Sequence, residues 1–190
     1  MSLKTRQCKR HKKVQGISTL EFALMLPILL TLVIGVVDFS RALQSNNIIA
    51  NMSREGANLA SRTLVTPSTI ISVLTFTASP LDMKNHGIMY ISKIKGVDGG
   101  NNTIVSVIDS QHRSQASEGN LTMASKLWAC PSWSASRCVV PGAVNGKTVV
   151  LPFPLAIGSE VYYVELGYEY VPFSGYLIQE NLQLHTYTLL

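Results

Sequence analysis

The chain has 190 residues with 16 Lys and Arg against 11 Asp and Glu, a formal charge of +5, but the excess belongs to one end. Residues 1–16 hold Lys4, Arg6, Lys9, Arg10, Lys12 and Lys13 and no acid, which leaves ten basic and eleven acidic groups over residues 17–190. A nucleic-acid binder spreads basic groups along a face to neutralise successive phosphates, so the distribution argues against nucleic acid as a partner, and the length allows one domain with an appendage rather than two domains.

A basic cluster followed by an apolar run reads as a membrane anchor or export signal with its positive end in the cytoplasm. From Phe22 to Val37 there are 16 uncharged residues, bounded by Glu21 and Asp38. As a helix they reach about 24 Å, short of a ~30 Å hydrocarbon core, whereas a start at Ile17 gives about 31 Å and spans it. Eleven of the sixteen are Leu, Ile, Val or Phe, worth about −3 to −7 kcal/mol for insertion. Glu21 sits about 6 Å inside the start of that span, within reach of the headgroups, and costs less than a central charge. A secretory signal would have a shorter apolar region and a small-residue cleavage site after it. Asp38, Arg41 and a long mixed pattern follow instead, so the anchor is expected to stay on the protein.

Counted from Gly16, Ile17 is position one and Glu21 position five. With a basic leader before it and an apolar helix after it, this spacing resembles the processing signal of type IV pilins and their relatives. The resemblance implies a prepilin peptidase that cuts between Gly16 and Ile17 on the cytoplasmic side. It also implies that the new Ile17 amine on a neighbouring subunit pairs with Glu21, a contact suited to fixing register. The unprocessed alternative leaves Glu21 solvated by headgroups at the membrane border.

Residues 21–62 extend the likeness. Glu21-Phe22, the Leu26-Pro27 step, Asp38 at the end of the span and Arg54-Glu55-Gly56-Ala57 together are similar to the N-terminal region of TadE-like proteins, minor pseudopilins of tight-adherence (Flp) pilus systems. Phe22 departs from the Glu-Tyr pair of the major pilin, and the chain is longer than major pilins. Both differences point to a minor component. The resemblance implies a structural subunit needed for assembly of an adhesive pilus. Its partners would be the peptidase, other pilins or pseudopilins, the inner membrane and the assembly platform, with no cofactor and no metal.

Beyond the span, Phe39, Leu43, Asn46, Ile49, Ala50, Ser53, Gly56, Ala57, Ala60 and Leu64 recur at helical steps. The helix is expected to continue over 38–66 and to pack this small-residue stripe on the chain's own C-terminal domain. Pro27 is expected to bend it locally. Thr66-Pro67 reads as a stop and a new start. Residues 68–80 fit a short helix or a buried strand, with helix preferred. The period then changes to two: residues 87–96 and 103–111 flank the turn-rich 97–102, a hairpin signal, and 147–154, 159–172 and 182–190 read as further strands. Tyr162, Val164, Leu166, Tyr168 and Tyr170 share one face of the 159–172 strand. The fold class is α+β, pilin-like: a long N-terminal helix, then a small mainly antiparallel sheet. The expected parts are a leader (1–16), a transmembrane helix (17–37), its continuation (38–66) and an extracytoplasmic domain (67–190).

Cys130 and Cys138 enclose seven residues on the side predicted to be oxidising, which favours a disulfide over two buried thiols. Trp128 and Trp133 are expected to pack around that loop. No G-x-S-x-G, H-E-x-x-H or P-loop occurs, His86, His112 and His185 are isolated in sequence, and the glycine-rich 96–102 has no helix after it. The sequence therefore reads as a non-enzyme. The second functional reading is an unprocessed single-pass protein whose outer domain binds a ligand or partner.

Overall fold

The computed structural model describes residues 15–100, 103–114, 123–173, 175 and 181–190. Its first element, α1 (Gln15–Arg62), is one helix of 48 residues, about 72 Å long. It runs uninterrupted through Pro27, which has no amide to offer the Ala23 carbonyl. Thr63 closes the helix: its amide and its hydroxyl both donate to the Leu59 carbonyl, at 3.1 and 2.7 Å.

α2 (Pro67–Thr77) starts where Thr66-Pro67 places it. Thr66 is extended, and its carbonyl accepts the amides of Thr69 and Ile70 at 3.0 and 3.1 Å. The Thr66 hydroxyl bonds the Ser68 and Thr69 hydroxyls instead of a backbone amide. Burial of Ile70, Ile71 and Leu74 settles helix over strand despite the β-branched content. A single turn, α3 (Met83–His86), follows. Asp82 caps it by accepting from Asn85, and that contact holds the Asp82 carboxyl below its usual range.

Among the described residues the sheet has seven strands: β1 (Gly87–Gly100), β2 (Thr103–Arg113), β3 (Trp133–Ser134), β4 (Arg137–Cys138), β5 (Thr148–Val149), β6 (Glu160–Tyr170) and β7 (Leu182–Leu189). Their order is β3-β4-β2-β1-β6-β7 with β5 also on β2, and each pairing is antiparallel. The expected hairpin is present, with Gly100 at φ +85 entering its turn. Three parts differ from expectation. The 147–154 strand shrinks to Thr148–Val149, because Pro152 and Pro154 have no amides for a ladder. The two-residue strands β3 and β4 lie inside the cysteine loop. A 3-10 turn, Val144–Gly146, precedes β5.

Both faces of the sheet are covered. On one, Met89, Ile91, Val164, Leu166 and Tyr168 meet Ile49, Met52, Ala57 and Ala60 of α1 and the buried side of α2. Tyr162 and Tyr170 pack at the edge of this core, so the five-residue face read from sequence is the helix-facing one. On the other, Ile94, Ile108, Val149, Leu155 and Tyr163 pack with Leu127, Trp128 and Val140 from the irregular segments between β2 and β6. Burying each large apolar side chain contributes about 1.5–3 kcal/mol.

Candidate functional site

Along α1 the sequence splits into two environments. Residues 19–37 are exposed apart from a half-buried Ile34, although they are almost wholly apolar, and α1 is long and apolar enough to cross a membrane as a single-pass anchor. Burial begins at Asp38 and continues through Ser45, Ile49, Met52, Ser53, Gly56, Ala57 and Ala60. This face differs from the stripe read in the sequence, because Phe39, Leu43 and Leu64 point away from the domain. Near the span the domain takes the small and polar positions, Asp38, Ala42 and Ser45. The large apolar side chains one position further on are left uncovered.

Those uncovered side chains form a pattern. Through the span the exposed apolar surface runs around the helix, Leu20, Leu24, Leu26, Ile28, Leu30, Val33 and Val37 included, and one row, Phe22, Met25, Leu29, Leu32, Val36, Phe39 and Leu43, continues past it at alternating three- and four-residue steps. That is the spacing of a helix–helix seam. The seam begins beside Glu21, which is also exposed. Gly16 and Ile17 lie in the first turn of α1, and their side chains fall outside the described residues. Glu21 and Asp38, the two acids that bound the apolar stretch, are about 25 Å apart along the axis.

Asp38 joins the span to the domain. It is buried, and its Oδ1 accepts the Phe173 amide at 2.8 Å. The Tyr170 hydroxyl donates to the Asp38 carbonyl at 3.2 Å. Burial, and then the negative charge of Asp38, push the Tyr170 phenol above its ordinary range. Higher up, Ser53 Oγ donates to the Val164 carbonyl (3.0 Å) and lies 2.9 Å from Thr188 Oγ1. Gly56 gives the closest approach: a Cβ there would lie 2.7 Å from Met89 Cε and 3.2 Å from Leu74 Cδ1 and Val164 Cγ1. The Gly56-Ala57 pair quoted for the resemblance is thus where α1 crosses both α2 and the sheet.

Cys130 and Cys138 form a disulfide, with Cα atoms 5.9 Å apart. Trp133, inside the loop, lies under the Arg113 guanidinium at 4.3 Å and beside the Tyr90 ring at 6.0 Å. Trp128 departs from expectation: it packs on the second core and donates Nε1–H to the Gly146 carbonyl at 3.3 Å.

Sequence reading missed Glu165. It is buried, and it accepts from Ser125 Oγ at 2.6 Å, the Lys126 amide at 2.7 Å and His185 Nε2 at 2.5 Å. The signal was an acid at an inward position of a strand long enough to be central. Serine and histidine both bond the carboxylate and not each other, so the imidazole is not placed to activate the hydroxyl. The group ties the 123–126 segment to β6 and β7. His112 is elsewhere, opposite Arg137, and His86 lines a groove under α1. Among the described residues, no three His, Cys, Asp or Glu side chains gather as metal ligands would.

No curated protein and no solved structure matched the chain. The family match lies wholly within α1, over the exposed span, the Asp38 junction and the Gly56 crossing: residues 16–58 match the family described as TadE-like protein.

Proposed function

We propose that the protein is a structural minor pilin or pseudopilin of TadE-like type, needed to assemble a Flp-type pilus used in adhesion. A prepilin peptidase removes residues 1–16 by cutting between Gly16 and Ile17. The outer domain lies on the extracytoplasmic side and the basic end in the cytoplasm. The observation that carries this reading is the apolar seam from Phe22 to Leu43, left uncovered by its own domain and headed by Glu21. A plain anchor has no need of an acid, nor of a seam that continues past the membrane at Phe39 and Leu43. Partner helices from other pilins or pseudopilins of the same system fit both, and the assembly platform is where they meet. The role is structural, without a cofactor.

Glu21→Ala tests it. The variant inserts in membranes as well as or better than the wild type, since the charge is gone, and pilus production falls. Full pilus production by that variant would remove the role given to the acid. The second reading, a permanent anchor with a ligand-binding outer domain, predicts the intact leader on the membrane protein.

A further inference from the structure

The junction at Asp38 fixes how far the outer domain stands from the bilayer. An anchor with a flexible linker lets its domain float free, but here the last uncharged residue, Val37, is followed at once by a buried aspartate bonded to the Phe173 amide. The domain starts where the hydrocarbon ends. With Val37 at that border, Arg41 stands about 6 Å beyond it, within a headgroup layer of about 5–8 Å.

The side chains at this level suit that layer. Val171 and Phe173, from the segment after β6, are large, apolar and exposed. Arg41 lies 5.7 Å from the Phe173 ring centre and, among the described residues, forms no ion pair. Beside it a groove of about 430 Å³ runs between α1 and the end of β6, lined by Arg41, Gln44, His86, Tyr168 and Tyr170 among others. Within the described residues, buried His86 Nδ1 has no hydrogen-bond partner. A guanidinium, an imidazole and an amide over aromatic rings suit a phosphate ester with an apolar tail, since Arg binds phosphate through paired N–H donors and aromatic residues favour the membrane–water interface.

We infer that the membrane-proximal end of the outer domain seats on the bilayer, with Val171 and Phe173 in the interface and Arg41, at the mouth of the groove, holding a phospholipid phosphate. The inference rests on the single-pass anchor reading. The partner is a lipid because the Arg41 end of the groove lies at the level where the span places headgroups.

The test uses the full chain in vesicles of phosphatidylcholine and phosphatidylglycerol. In a Cys8→Ser background with the disulfide intact, a nitroxide is attached at Phe173→Cys, or at Leu64→Cys just past the far end of α1. Oxygen is expected to relax the label at 173 more than a water-soluble nickel chelate does, with the reverse at 64. Equal access of the chelate to both sites overturns the seating. Failure of the protein to float with the vesicles overturns the anchor itself, a different result. In detergent with phosphatidylglycerol added, mass spectrometry of the native protein is expected to show retained lipid that Arg41→Gln loses. Equal retention by the variant, or displacement of the lipid by inorganic phosphate, overturns the phospholipid assignment.

Discussion

Glu165 shows what one residue does in the outer domain. Its carboxylate takes three donors, two from the 123–126 segment and one from the neighbouring strand β7, so truncation leaves the Lys126 amide and the Ser125 hydroxyl short of a partner. Glu165→Ala should lower unfolding free energy by about 2–4 kcal/mol, read by chemical denaturation. Unchanged stability would mean the 123–126 segment is held by other contacts. His112 gives a pH dependence. Burial, then the charge of Arg137, hold its imidazole below 6.5, so the folded state favours the neutral ring. As pH falls through about 6.5 the unfolded chain takes up the proton first. Stability therefore drops from neutral pH downward and levels off below the folded value. Denaturation midpoints measured from pH 8 to 5 should show this slope reduced in His112→Gln, and an identical slope in the variant would assign it to another group.

At the scale of the element, α1 is one helix with two surfaces, and Gly56 marks where the domain-facing one is tightest. Gly56→Val forces a branched side chain against Met89, Leu74 and Val164. Overpacking of this kind costs about 1–3 kcal/mol, and a melting temperature equal to the wild type would contradict the crossing described. Much of the fold was legible: the long helix, the Thr66-Pro67 restart and the long strands all follow from period and punctuation. The buried face near the membrane was not. Amphipathic reasoning selects the large apolar residues, and there Phe39 and Leu43 belong to a different interface, while a buried aspartate and small residues face the domain. The short strands of the cysteine loop were also illegible, because two residues carry no period. The Glu165 cluster depends on pairing β6 with β7 and on where the 123–126 segment returns, and neither follows from local pattern.

At the scale of the molecule, the fold joins the outer domain directly to a long helix whose outward seam has no cover among the described residues. The end of the proposed leader, Gln15-Gly16, and the proposed scissile bond lie within α1 as described. Glycine at the bond adds no Cβ to obstruct a peptidase that binds the segment in extended form. Gly16→Leu should leave the leader attached, seen as a slower-migrating band, whereas normal trimming of that variant would move the cut elsewhere. The most direct measurement is N-terminal sequencing of the protein recovered from membranes of its native host. A chain beginning Ile17-Ser18-Thr19-Leu20-Glu21 is the result predicted, and it gives Glu21 an amine to pair with on a neighbouring subunit. A chain that retains its leader contradicts the processed-subunit account and leaves a permanent anchor.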